Sequence, residues 1–265
     1  MCKKTFPIFL LLLFTLTSNA FAASLLDSLL RPPTVNQTIL KDSKTFDGMV
    51  GIYAKNLKTN QTFTYNADIV FPTASTSKLV VALAVYKYLY PTAAPDKQSE
   101  YDDNIRHMMT VSDNDAFYDL LEEITGSKFD ALNRVERDLK LKKTLIHSDA
   151  AFAKYQYHSV TTPYEMGSVF ENLYWNKYVG TTKSELMKDE LANSIFHDEI
   201  PRFMLTKVMH KVGQLDDVLC DVGIVDDGQN QILISVYTKT NNPTEYASDF
   251  IANTSAKLYN ALRKK

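Results

Sequence analysis

The segment that decides the fold begins with Ser75-Thr76-Ser77-Lys78 and continues as an almost unbroken apolar run from Leu79 to Val85. Ser75 and Lys78 are three positions apart, so on a helix their hydroxyl and amine lie on the same face and can touch. A helix that is apolar on all sides is a buried helix. Because burial disfavours the charged form, the pKa of Lys78 is expected to fall toward that of a usable base. The segment therefore predicts a buried helix that begins with a serine activated by a lysine.

Two later motifs strengthen this interpretation. Ser112-Asp113-Asn114 begins 37 positions after Ser75, and Lys211-Val212-Gly213 lies in a late apolar segment. Each motif has an ordinary explanation when it is taken alone. A Ser-x-x-Lys match often marks a solvated helix start, Ser112-Asp113-Asn114 suits a helix cap, and Lys211 suits the edge of a sheet. The ordered trio is much more specific than its parts.

On this trio, the chain resembles the class A β-lactamase-like serine hydrolases, a family that includes penicillin-binding proteins. The resemblance extends over nearly the whole chain after its N-terminal segment. It includes Phe71-Pro72-Thr73-Ala74, Met109-Thr110-Val111, Thr161-Thr162-Pro163 with Met166, Asp221-Val222-Gly223-Ile224-Val225 and the C-terminal helix. We therefore expect acyl-transfer chemistry.

Three side chains are the candidates for catalysis. Acyl transfer needs a nucleophile, a base and a proton path to the leaving nitrogen. Ser75 is the candidate nucleophile and Lys78 the candidate base. Ser112 is expected to relay a proton toward the departing amine. We expect Asp113 to be structural.

The candidate substrate-binding residues are Asn114, Lys211, Gly213 and Gln214. Asn114 is expected to hydrogen-bond a substrate amide, and Lys211 to supply positive charge for a substrate carboxylate. The backbone N–H of Ser75 lies in the first helical turn, where N–H groups lack internal partners and can stabilise an oxyanion. The resemblance implies that the second oxyanion donor is the N–H of Gln214, which follows Gly213.

The chain departs from the family pattern in the loop that supplies a deacylating glutamate in class A β-lactamases. The corresponding residues, 145–158, contain no glutamate and are fewer than usual. Asp149 is the only carboxylate in this loop, and its register does not match. Glu165 follows on the next helix, where we expect a solvated surface residue. The sequence therefore predicts competent acylation and slow deacylation.

A second departure concerns recognition of a substrate carboxylate. Val212 stands where the family usually has Thr or Ser, and no arginine lies near Leu219-Cys220-Asp221, where many members carry one. Both changes weaken carboxylate binding. They suggest a substrate unlike ordinary penicillins, or an enzyme of low efficiency.

The order of the elements predicts an α+β fold, in which an antiparallel five-stranded sheet is flanked by helices, as in the β-lactamase/transpeptidase-like proteins. The expected strands are Met49–Ala54, Thr62–Tyr65, Lys207–Gln214, Val218–Val225 and Ile232–Lys239, and the closing helix is Glu245–Leu262. Helices are expected from Thr73 to about Phe203. We divide residues 23–265 into an α/β lobe (23–70 plus 205–265) and a helical lobe (71–204). Ser75 and Lys211 are expected to face each other across the cleft between the lobes.

The N-terminal residues have the pattern of a cleaved signal peptide, residues 1–22. Lys3 and Lys4 precede an apolar core from Phe6 to Leu16, and the segment ends in Ala20-Phe21-Ala22. The apolar core is short for a membrane span, which makes a retained anchor the weaker alternative. We therefore expect a secreted or periplasmic protein with no stable membrane anchor after cleavage.

The composition bears on partners and cofactors. The formal net charge of −2 argues against a basic surface that binds nucleic acid. Cys220 is expected to be a small buried hydrophobe. No metal or other cofactor is expected, because the histidines are scattered without ligand spacing: His107, His147, His158, His197 and His210.

The sequence leaves two functional hypotheses. The first is an exported serine hydrolase, acting as a monomer, that forms an acyl-Ser75 intermediate with β-lactams or D-alanyl-type peptidoglycan peptides. The alternative is a catalytically weak envelope protein that binds peptidoglycan fragments or a partner in the same cleft. A binding module has no need for a desolvated lysine, which favours the first.

Overall fold

The computed structural model describes residues 34–263, so the predicted signal peptide lies outside the described residues. The strands are β1 (Met49–Asn56), β2 (Thr62–Tyr65), β3 (Phe71–Pro72), β4 (Val160–Thr161), β5 (Val208–Gln214), β6 (Val218–Asp226) and β7 (Gln231–Lys239). The α-helices are α1 (Val35–Thr45), α2 (Ser77–Ala84), α3 (Pro95–Thr110), α4 (Asn114–Gly126), α5 (Ala131–Asp138), α6 (Asp149–Tyr155), α7 (Pro163–Tyr174), α8 (Thr181–Ala192) and α9 (Thr244–Leu262). No helix in this range is both long and apolar enough to cross a membrane.

Five strands form one antiparallel sheet in the order β2-β1-β7-β6-β5. This confirms the predicted α+β class and the five-stranded antiparallel sheet. The sequence missed the small second sheet, in which β3 pairs with β4 and joins the segment before Ser75 to the segment before α7.

The sheet is covered on both faces, because side chains alternate along its strands. On β7, Leu233 and Tyr237 pack with the cluster that contains α2 and α7. Ile234 and Val236 pack with the cluster that contains α1 and α9. The central strands are therefore apolar on both faces.

Helix α2 is a buried helix, as its sequence predicted. All eight of its residues are buried, including Lys78, whose exposed fraction is 2%. The helix continues through one π turn (Val85–Leu89) and a 3-10 turn that contains Pro91, which ends it. An amine is thereby held in the interior of the protein.

The prediction that Glu165 is a solvated surface residue is wrong. Its side chain is buried, and its carboxylate accepts backbone N–H groups of Lys142 at 2.7 Å, Lys143 at 3.0 Å and Thr144 at 2.7 Å. The hydroxyl of Thr144 donates to the same carboxylate at 2.7 Å. A turn of successive N–H groups solvates the charge in place of water. Glu165 therefore fixes the start of the loop that leads to the cleft.

We expect Glu165→Gln to lower the free energy of unfolding by about 2–3 kcal/mol, because the amide replaces one acceptor oxygen with a donor and leaves a buried N–H unpaired. Glu185→Gln is the matched control. Glu185 is exposed and pairs with Lys188 three residues away on α8, an arrangement whose loss costs less than about 1 kcal/mol. Denaturant unfolding of both variants is the measurement. Equal effects would show that the Glu165 carboxylate is not the anchor of this loop.

Candidate active site

Ser75 lies at a turn that the sheet holds in place. It is the middle residue of a 3-10 turn, Ala74–Thr76, immediately before α2. Ala74 has a φ of 44°, an unusual value for a residue with a Cβ. The Thr76 hydroxyl lies 2.7 Å from the carbonyl of Thr73 and 2.8 Å from the Tyr237 hydroxyl on β7. Such strain persists only where surrounding contacts over-determine it, as they do here.

The ammonium of Lys78 connects three of the candidate residues. It donates to the Ser75 hydroxyl at 3.3 Å, to the Asn114 side-chain oxygen at 2.7 Å, and to the Ser112 carbonyl at 2.6 Å. Burial lowers the pKa of Lys78 to about 8, although the negative charge of Asp113 opposes the shift. The lysine is therefore within reach of the neutral form near physiological pH.

The Ser112 hydroxyl lies between two lysines. Lys78 Nζ is 3.2 Å from it and Lys211 Nζ is 2.9 Å from it. Ser112 has a φ of 57°, and Asp113 then caps α4 by accepting the Ala116 N–H at 3.1 Å. Asp113 is therefore structural, as expected. The left-handed turn directs the Ser112 side chain to the cleft and the Asp113 side chain to the helix.

Lys211 is almost fully buried, on β5. Its ammonium also donates to the Val212 carbonyl at 2.9 Å. Burial, followed by the nearby charge of Lys78, lowers the pKa of Lys211 to about 7. Two buried amines that share one hydroxyl disfavour double protonation of the pair.

Gly213 allows β5 to approach the Ser75 turn. A Cβ at this position would lie 2.9 Å from the Ser75 nitrogen and 2.9 Å from the Thr73 carbonyl oxygen. The Cys220 thiol lies behind it, 3.4 Å from the Gly213 carbonyl oxygen. Cys220 is fully buried, as predicted, and burial raises the pKa of its thiol. This close approach brings the segment with Gln214 beside the nucleophile.

The cleft opens on two sides of Ser75. We call the side next to α9 the α9 recess, a cavity of about 580 Å³ that Ser75, Ser112 and Val212 line together with acidic residues. We call the other side the loop recess, a cavity of about 490 Å³ that Ser75, Lys78 and the loop before β4 line. Asn114 and Gln214 line both recesses. All seven candidate residues are thus brought together.

Sequence reasoning missed a buried pair behind Lys211. His210 Nδ1 lies 2.9 Å from the Asp221 carboxylate, and His210 Nε2 lies 3.0 Å from the Phe196 carbonyl. Both ring nitrogens therefore face oxygen atoms that can accept a hydrogen bond. Asp221 also accepts the Ile200 N–H at 3.1 Å. Through Phe196 and Ile200, the pair holds the segment that forms one side of the α9 recess. The sequence alone does not reveal the pair, because only the register of β5 on β6 places His210 next to Asp221.

Tyr157 lines the loop recess. Its hydroxyl donates to Asp217 at 3.1 Å and accepts from Lys239 at 2.9 Å. The end of the loop is thereby tied to the β5–β6 turn. Asp149, the only carboxylate of the loop, begins α6 and is exposed.

The sequence profile described as the Beta-lactamase enzyme family matches residues 34–92 and 89–262, and the chain belongs to that family. No curated protein matches the sequence.

Solved structures share the fold at low sequence identity. A β-lactamase from Sphaerobacter thermophilus is 18% identical with a TM-score of 0.70, over 86% of this chain and 96% of that one. PBP-A is 20% identical with a TM-score of 0.72, over 87% and 98%. A mutant of PBP-A, seen as an acyl-enzyme complex with penicillin G, is 20% identical with a TM-score of 0.73, again over 87% and 98%.

We expect Gly213→Ala to lower the free energy of unfolding by about 1–3 kcal/mol, because the added methyl meets backbone that has no room to move. Gly126→Ala is the control, since a Cβ there meets nothing within 4 Å and alanine suits a helix better than glycine. Thermal unfolding of the two variants is the comparison. A Gly213→Ala protein as stable as wild type would mean that β5 does not press on the Ser75 turn.

Proposed function

We propose that the protein is a serine acyl-hydrolase that forms an acyl-Ser75 intermediate with β-lactams or D-alanyl-type peptides and releases it slowly. The family and the fold support a β-lactamase-like serine hydrolase. The observation that carries the finer proposal is the network of Ser75, Lys78, Ser112 and Lys211. A nucleophile, a base and a proton path are in hydrogen-bond contact there.

In the acylation step, Ser75 Oγ forms a bond to the substrate carbonyl carbon while neutral Lys78 accepts the hydroxyl proton. The oxyanion is held by the N–H groups of Ser75 and Gln214, each worth roughly 3 kcal/mol. The C–N bond then breaks. The departing nitrogen takes its proton from Ser112, which is re-protonated by Lys78 or Lys211.

The two lysines make the proton path workable near neutral pH. General acid–base catalysis is most effective when the pKa of the catalytic group lies near the working pH. The pKa values of Lys78 and Lys211, lowered to about 8 and about 7, meet this condition. Asn114 holds the Lys78 ammonium by its side-chain oxygen and keeps its amide N–H groups for a substrate carbonyl.

Slow deacylation is supported by the composition of the loop recess. A water molecule that attacks the acyl-enzyme from this side needs a base. Within the described residues, no carboxylate lines the recess, which contains His147, Gln156, Tyr157 and His158 on its loop side. The PBP-A mutant, which shares this fold, forms an acyl-enzyme complex with penicillin G, and this is compatible with a long-lived adduct here.

Export through cleavage of residues 1–22, and action as a monomer, complete the proposal. The alternative is a non-catalytic envelope protein that uses the cleft only to bind peptidoglycan fragments. The buried, hydrogen-bonded amine of Lys78 speaks against it, because the desolvation of an amine is costly and serves a base rather than a binding surface.

We expect Ser75→Ala to abolish covalent labelling by a fluorescent penicillin while the protein stays folded. Ser77→Ala is the matched control: Ser77 lies in the same turn and donates only to the Ala74 carbonyl, so labelling of that variant should persist. Mass spectrometry of the labelled wild type should place the adduct on Ser75. Labelling of Ser75→Ala would refute the nucleophile assignment, and an unlabelled wild type would favour the binding-protein alternative.

We expect a burst of about one equivalent of product from a chromogenic cephalosporin, followed by a slow steady rate. The missing carboxylate should slow deacylation roughly 10²- to 10⁴-fold, the usual contribution of general-base assistance. Stopped-flow absorbance gives both phases, and intact mass detects the acyl-enzyme during the slow one. Rapid steady turnover with no detectable adduct would show that another group in the loop recess activates water.

A further inference from the structure

The α9 recess is lined by more acidic than basic side chains. Four carboxyl groups line it, those of Asp198, Glu199, Glu245 and Asp249. Among the described residues that line it, Arg202 is the only basic one. Arg202 is already engaged, since its guanidinium pairs with Asp249 at 2.5 Å and donates to Ser248 at 2.7 Å. Three carboxyl groups therefore remain without a matching cation in the recess.

Glu199 is the central residue of this wall. Its exposed fraction is only 7%, and one of its oxygens accepts the Ser248 hydroxyl at 2.7 Å. Its second oxygen has no hydrogen bond within residues 34–263 and is not among the buried unpaired atoms of that range. This oxygen is therefore accessible, and Glu199 lines the recess. Burial, followed by the charge of Asp221, raises the pKa of Glu199, whereas the Ser248 hydrogen bond and the charge of His210 oppose the shift.

The groups that would bind a substrate carboxylate are absent or occupied. Val212 offers no hydroxyl to the recess that it lines. The ammonium of Lys211 is directed to Ser112 and to the Val212 carbonyl. An anion in the α9 recess would therefore meet carboxyl groups and little compensating charge.

The position of Ser112 identifies which part of a substrate enters this recess. Its hydroxyl is the proton donor to the leaving atom, and Ser112 lines the α9 recess but not the loop recess. The leaving group therefore extends toward α9, past Val212, to the wall formed by Asp198 and Glu199.

We propose that the α9 recess is a subsite for a positively charged leaving group, so that the enzyme prefers acyl donors that carry an ammonium there over those that carry a carboxylate. This rests on the proposed acyl-Ser75 chemistry and specifies its substrate class. Glu199 is the principal specificity residue, and Asp198 adds long-range attraction.

Three N-acetyl-D-alanyl thioesters test the proposal. Their leaving thiols are thiocholine, its uncharged isostere 3,3-dimethylbutanethiol, and 3-mercaptopropionate. In each reaction Ser75 Oγ bonds to the carbonyl carbon, the C–S bond breaks, and the thiol leaves with the proton from Ser112. Hydrolysis of acyl-Ser75 then regenerates the enzyme. The released thiol is followed with a chromogenic disulfide.

We expect the ratio of kcat/KM for the thiocholine ester to that for the isostere to fall roughly tenfold in Glu199→Gln, which is about 1.4 kcal/mol. Comparing the ratio between proteins cancels the different intrinsic reactivities of the thioesters. Asp198→Asn, at an exposed position, should lower the ratio by a smaller factor and covers the case in which Glu199→Gln fails to fold. Glu185→Gln, at an exposed position on α8 outside the lining of the recess, should leave the ratio unchanged.

The same three esters are also ranked by how strongly each slows labelling of Ser75 by a fluorescent penicillin, which gives a reading even if they are hydrolysed slowly. A ratio unaffected by Glu199→Gln and Asp198→Asn, or a preference for the 3-mercaptopropionate ester that Arg202→Gln removes, would overturn the cationic subsite. Absence of any Ser75 adduct would instead refute the proposed function itself.

Discussion

Two buried amines share one hydroxyl in this protein, and much of the structure serves to hold that arrangement. Lys78 comes from the buried helix α2, Lys211 from an edge strand, and Ser112 from the turn between α3 and α4. Both amines are desolvated and close together, so their charges oppose each other. Burial lowers the pKa of both groups, and the charge of Lys78 adds to the shift of Lys211. The packing that buries the two lysines is thus also what sets their pKa values.

Local sequence patterns were enough to predict much of the fold. The apolar run after Lys78 identified α2, and alternating apolar residues identified β5, β6 and β7 to within a residue or two. The ordered trio led to the prediction of seven site residues, which the structure brings close together. Their distances and hydrogen bonds could not be read from the sequence, because they depend on how three separate elements pack. The catalytic roles, the cleaved signal peptide and the division into two lobes stay predictions.

The errors have a common physical cause. The sequence predicts a surface position for Glu165 because charged residues on helices are usually solvated. In the structure, backbone N–H groups of the turn at Lys142 and Thr144 solvate its carboxylate instead. His210 and Asp221 were considered singly, because only the register of β5 on β6 places them on one face. The α9 recess combines Glu199 with Ser248 from a helix about fifty residues away. Charges satisfied by long-range partners leave no local periodic signal.

The contact between Gly213 and the Ser75 turn also limits how the cleft can move. A displacement that widened the gap between β5 and α2 would pull residue 213 off the Ser75 nitrogen and separate Lys211 from Ser112 at the same time. The close approach of Gly213 therefore couples the width of the cleft to the geometry of the network formed by Lys78, Ser112 and Lys211.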